Sequence, residues 1–208
     1  PNTKIFVGHH IRHQKAIKDI ADIIASNQIG EVIFAEGGWG YNLDPEAPYA
    51  KWKLDQSKGG SSVMGDPGIH VIDVMYLLFG KPDFVAAKGA SVIYKTTVDN
   101  VTALFGYQNK QVKITASQTS MFPKNDLIIE GTKGRIEVPE CFSQTHIPEV
   151  RVTTIQGLEV KKYDETLLYK NEVENILGVS TKGVSATTLA EGVEENRILI
   201  EINNQVTA

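Results

Sequence analysis

The chain has 208 residues, enough to bury one sizeable core or two small ones, and its 41% hydrophobic and 22% charged residues are those of a soluble globular protein. A formal net charge of −4 and a pI near 5.8 argue against a nucleic-acid or anionic-membrane partner, because either would favour a basic face. The single cysteine, Cys141, excludes an internal disulfide framework, and no run reads as a signal or a membrane span, so a cytoplasmic protein is expected.

In chain order, Lys4 to Gly8 reads as a short strand that starts almost at the first residue, without an initiator Met. That suggests a piece of a longer chain. The run 9–13 (His9, His10, Ile11, Arg12, His13) places three imidazoles and a guanidinium together. A zinc site would need further ligands, so Arg12 as a fork for hydroxyl or carboxylate groups, or a surface histidine cluster, is favoured. Ala16, Ile17, Ile20, Ile23 and Ile24 have helical spacing within 13–27, Gly30 ends that element, and 31–38 reads as a strand. Gly37-Gly38-Trp39-Gly40 is not a dinucleotide fingerprint. Residues 39–60 read as a long irregular loop whose Trp39, Tyr41, Tyr49 and Trp52 form either a sugar-pocket wall or plain core anchors.

The segment from Gly59 to Asp73 is the richest. Asp66, His70 and Asp73 are spaced by four and three residues and share one helix face. Asp66 reads as the N-cap and Pro67 as the first helical residue, with helix to Phe79 and a stop at Gly80 and Pro82. An imidazole that titrates near pH ~6.5 can accept the proton an alcohol must lose on dehydrogenation. The alternative is a capped helix with a partly buried histidine. Asp73 sits among Val71, Ile72, Val74 and Met75, so it needs a partner or a cleft.

Strands are then expected over 84–95, 98–108, 111–120, 126–131, 134–138, 149–155 and 158–163, with a hairpin at Gly131-Thr132-Lys133-Gly134. Helices are expected near 169–177 and 186–203, the second with a Thr188-x-x-Glu191 capping box. The predicted fold class is α+β, with an open, mostly antiparallel sheet covered on one face by helices. In 111–120, Lys113, Thr115, Ser117 and Thr119 would form the other, polar face, which is either solvated or meets a partner subunit.

The run from Gly59 to Gly80 resembles the glucose-fructose oxidoreductase, inositol dehydrogenase and MocA (Gfo/Idh/MocA) family, whose Asp-x-Gly-x-His-x-x-Asp helix matches Asp66, Gly68, His70 and Asp73. Similar in the same order are 8–12 with 29–32, Asp99-Asn100-Val101, 131–136 and 191–194. The resemblance implies that residues 1–208 are one C-terminal substrate-binding and oligomerisation domain, like that of glyceraldehyde-3-phosphate dehydrogenase in architecture. The N-terminal Rossmann domain that binds NAD or NADP would lie outside this chain. It further implies that His70 is the proton acceptor and Asp66 its partner. Arg12, Trp52, Lys53 and Asp73 would approach a sugar, polyol or related hydroxy substrate. No residue here is expected to bind cofactor or metal, and a homo-oligomer through the open sheet is expected. The competing reading is a non-catalytic ligand-binding or dimerisation module of the same fold.

Overall fold

The computed structural model describes residues 3–59, 63–164, 167–179 and 184–206. Its centre is an eight-stranded sheet. The strands are β2 (Val32–Gly40), β3 (Phe84–Ala90), β4 (Asn100–Gly106), β5 (Gln111–Ser117), β6 (Leu127–Gly131), β7 (Gly134–Val138), β8 (Glu149–Thr154) and β9 (Gly157–Lys162). They lie in the order β3-β4-β5-β2-β6-β7-β8-β9. Short turns make most neighbours antiparallel. The exception is β2–β5, which run parallel because β2 is separated from β5 by a helical segment and a whole hairpin. A two-residue strand, β1 (Phe6–Val7), pairs with β10 (Thr187–Thr188) and ties the start of the chain to its end.

The period-2 pattern decides which face is covered. Val101, Ala103 and Phe105 of β4 are buried, as are Val112, Ile114 and Ala116 of β5, while Thr102 and Leu104 between them are exposed. The buried face carries α1 (Lys15–Ala25) against β8, α4 (Ile69–Phe79) over β2 and β5, and α6 (Leu189–Val206) along β3. Gly37 lets α4 approach β2, because a Cβ there would stand 2.5 Å from Met75 Cε and 3.0 Å from Phe142. The opposite face is mainly polar: Lys113 pairs with Glu36 at 2.9 Å and Arg135 with Glu137 at 2.8 Å.

The expected strands and hairpin are present, somewhat shorter than the sequence pattern suggested. The 84–95 strand stops at Ala90 because Asp99 folds the next residues into a turn. Its carboxylate accepts the backbone N–H groups of Val92, Ile93 and Tyr94 at 2.7–2.8 Å. The loop at 39–60 holds two short helical turns, α2 (Ala50–Lys53) and α3 (Gln56–Gly59), and its first two residues complete β2. The last described helices are α5 (Leu168–Ile176) and α6, and the capping box forms: Glu191 accepts from the Thr188 backbone N–H at 2.7 Å and returns its own N–H to Thr188 Oγ1.

Two expectations are corrected. Asp66 does not cap the helix, because the chain is already helical at Val63 and a π-type turn spans Met64–Gly68 ahead of α4. Its carboxylate is thereby free for side-chain partners. The histidines of 9–13 are not a surface cluster. His10–His13 form a 3-10 turn whose four residues are buried, with His9 beside it. The helix does end as expected, with Gly80 at φ 75 accepting the left-handed geometry that side chains avoid.

Candidate active site

The end of β2, the α2 turn and the start of α4 meet around an open cavity of about 580 Å³. Lys53, Asp66 and His70, expected to act together, all line it, with Trp39, Tyr41 and Tyr49 as aromatic wall. Trp52 is half exposed and reaches the cavity only through Lys53, whose ammonium lies 5.8 Å from its ring centre. Asn125, Ser143 and Gln144 complete the wall from loops far along the chain. Nothing in their local sequence marks them, since isolated amides and hydroxyls are common in loops.

Lys53 Nζ donates to Asp66 Oδ2 at 2.5 Å. Tyr41 donates its hydroxyl to the same oxygen at 2.7 Å, and accepts from Lys53 at 3.2 Å and from Gln118 Nε2 at 3.1 Å. Four side chains from separate segments therefore hold one another's rotamers. Burial and the neighbouring Asp66 carboxylate push the Tyr41 phenol well above its usual range, so Tyr41 stays a hydroxyl donor.

His70 lies one turn after Asp66 with its ring 5.2 Å from Trp39, 4.6 Å from His10 and 5.5 Å from His9. Burial, then the fields of His10 and His9, lower its pKa to about 3. It is neutral at pH 7. Its Nδ1 is buried with no hydrogen-bond partner among the described residues, a costly state. His10 is held by Gln144 Nε2 at 3.2 Å and by stacking on Tyr169 at 4.8 Å, and burial lowers its pKa too.

Arg12 and Asp73 do not face the cavity. Both are fully buried behind it, joined by Arg12 Nη2–Asp73 Oδ1 at 2.5 Å and Nε–Oδ2 at 3.0 Å. Thr187 Oγ1 donates to Asp73 at 3.1 Å, and Glu195 of α6 lies 3.5 Å from Arg12 and 3.0 Å from His9 Nε2. Burial pushes the Asp73 carboxyl up to about 6 against the pull of Arg12, so it is still ionised at neutral pH. Burial also acts to lower His9, but its bond to Glu195 and the field of Asp73 win, and its pKa is raised. Among the described residues, His9, Asp73 and Glu195 are a trio with metal-ligand spacing. The Arg12 guanidinium already supplies a cation to both carboxylates.

The Gly37–Gly40 run does not fit the phosphates of a dinucleotide. Gly37 is paired to Ile114 on one side and Leu127 on the other, and the Gly37–Gly40 run is strand throughout. It offers no glycine turn into a helix N-terminus, the usual cradle for a pyrophosphate. Among the described residues no helix is long and apolar enough to cross a membrane.

Comparison with solved structures shows the same architecture at low sequence identity. An NAD binding oxidoreductase from Klebsiella pneumoniae superposes with a TM-score of 0.83 at 18% identity over 99% of this chain and 65% of that one. The aldose-aldose oxidoreductase of Caulobacter crescentus, solved with glycerol, gives 0.80 at 14% identity over 98% of this chain and 62% of its own. A dehydrogenase of Bordetella pertussis in complex with NADH and UDP-GlcNAcA gives 0.73 at 17% identity over 99% and 61%. The chain thus spans about three fifths of the length of these proteins. No curated protein sequence matches it. The model of the GFO/IDH/MocA C-terminal domain matches residues 17–137, more than half of the chain and including the Asp66–Asp73 helix. The chain belongs to the Gfo/Idh/MocA family, as a C-terminal domain of that family.

Proposed function

We propose that this chain is the substrate domain of an NAD(P)-dependent oxidoreductase that acts on a sugar, polyol or related hydroxy compound. One observation carries the reading: within this family's fold, a neutral imidazole and a Lys53–Asp66 pair converge on one cavity wide enough for a small molecule. NAD or NADP would be held by a separate, N-terminal Rossmann domain and would supply the hydride acceptor.

The roles of this chain's residues follow from their chemistry. His70 is the proton acceptor. Burial keeps its imidazole neutral at pH 7 and so free to take the hydroxyl proton, but with a weaker pull than a base titrating near pH 7 would exert. Asp66 and Lys53 offer a carboxylate oxygen and an ammonium to hydroxyls of the bound compound, with Tyr41 holding the carboxylate in place. Trp52 supports Lys53 from outside. Arg12 and Asp73 act as positioning residues: their ion pair fixes α4 to the turn that carries His10, and so sets where His70 stands. The protein would act in the cytoplasm, as a homo-oligomer through the polar sheet face.

The test is turnover by the protein that joins this chain to a dinucleotide-binding domain, assayed with NAD and NADP against a panel of aldoses and polyols. Hydroxyl-dependent reduction of the nicotinamide is expected. The broad polar face of β2, β5 and β7 favours a second reading, a non-catalytic module that binds ligand and dimerises. Ligand binding without turnover, by a protein that light scattering shows to be dimeric, would support that reading instead.

A further inference from the structure

The charges around the cavity are few and asymmetrically exposed. Among the described lining residues only Lys53 and Asp66 carry formal charge, and they neutralise each other at 2.5 Å. The lysine is the hidden partner. Its side chain is 12% exposed beneath Tyr41, Tyr49 and Trp52, whose rings lie 5.2–5.8 Å from the ammonium, whereas Asp66 is 35% exposed. An arriving ligand therefore meets a carboxylate oxygen before it meets a cation. Behind the cavity the buried carboxylates are matched too: Arg12 pairs with Asp73 and lies 3.5 Å from Glu195, whose other oxygen is 3.0 Å from His9 Nε2. His10 and His70 are neutral. The rest of the wall is amide and hydroxyl, from Asn125, Ser143 and Gln144, and aromatic face.

We infer that the cavity selects an uncharged polyhydroxyl ligand and rejects its carboxylated or phosphorylated counterparts, with Asp66 as the residue that sets this preference. Hydroxyl donors can bond the exposed carboxylate oxygen, and C–H faces can pack on the Trp39 and Tyr49 rings. A ligand carboxylate would face the Asp66 carboxylate in a partly desolvated cleft, and the lysine that could receive it is already paired. The inference rests on the cavity being the substrate site, and it adds which substrates that site refuses.

The experiment measures binding of four probes, by saturation-transfer NMR, to the protein that joins this chain to a dinucleotide-binding domain: D-glucose, myo-inositol, D-glucuronate and D-glucose 6-phosphate. At least one neutral probe should bind about tenfold more tightly than either anion. Asp66→Asn should close that gap by exposing an unneutralised Lys53, and Lys53→Gln should widen it. If Asp66→Asn does not fold, the wild-type ranking and the Lys53→Gln arm still decide. Glucuronate or glucose 6-phosphate binding as tightly as the neutral probes overturns the selectivity while leaving a substrate site in place. Failure of all four probes to bind, or binding that Asp66→Asn and Lys53→Gln leave unchanged, overturns the cavity as the substrate site as well.

Discussion

Arg12→Met should lower the unfolding free energy by about 3–5 kcal/mol, measured by urea denaturation at pH 7. The methionine fills similar volume, so the loss is chiefly electrostatic. Asp73 and Glu195, both within hydrogen-bond reach of the guanidinium and essentially unexposed, would lose their cation in a low-dielectric interior. The pair joins the His10–His13 turn to α4, and Glu195 brings in α6, so the damage would spread across three elements. Arg12→Met combined with Asp73→Leu should recover part of the loss, because removing both charges leaves less buried charge than removing one. A single-variant loss below about 1 kcal/mol, the range of a solvated surface pair, would mean that the network is weakly coupled to folding.

Acid should destabilise the fold well before general carboxylate titration. The pKa values of His70 and His13 are held by burial at about 3 and about 4, against 6.5 for the free side chain. Between pH 6.5 and about 4 the unfolded chain takes up protons that the folded chain refuses, so stability falls as pH falls. Each histidine accounts for about 3 kcal/mol across that interval. Asp73 runs the other way: with its carboxyl raised to about 6, the folded state binds the proton first and recovers about 2 kcal/mol by pH ~4. His9, also raised, opposes the loss as well. The net expectation is a decline of about 3 kcal/mol from pH 6.5 to 4, read from urea midpoints along a pH series. His70→Asn should flatten the slope by close to one proton. A protein equally stable at pH 4.5 and 7, or a slope that the variant leaves untouched, would show that these imidazoles titrate normally in the fold.

Much of this was legible along the chain because the relevant signals are local. Alternation in 111–120 predicts which side chains of β5 face the helices, and Thr188 with Glu191 marks a helix start that forms as expected. The Asp66–His70 spacing puts both residues at one cavity because a helical face is set by sequence distance alone. Other parts depend on long-range contacts. Asp66 was legible as a cap, the common use of an aspartate before proline, but Lys53 and Tyr41 claim its oxygen from 13 and 25 residues away. The run 9–13 is polar enough to suggest a surface, yet it is buried because Glu195 and Asp73 arrive from α6 and α4 to match its charges. Asn125, Ser143 and Gln144 enter the site through the path of the sheet, which no local pattern of theirs encodes. Gly60, Ser61 and Ser62 of the Gly59–Asp73 segment lie outside the described residues.

The most direct measurement is the turnover of His70→Asn in a protein that joins this chain to the dinucleotide-binding domain proposed for it, with an alcohol substrate at saturating cofactor. Asparagine keeps a polar side chain of similar reach but cannot take up a proton. The account predicts a fall in kcat of at least about tenfold, with KM and melting temperature little changed, in line with what a positioned general base contributes. An unchanged kcat in a folded variant would contradict it, and would move the proton chemistry away from the helix that begins beside Asp66.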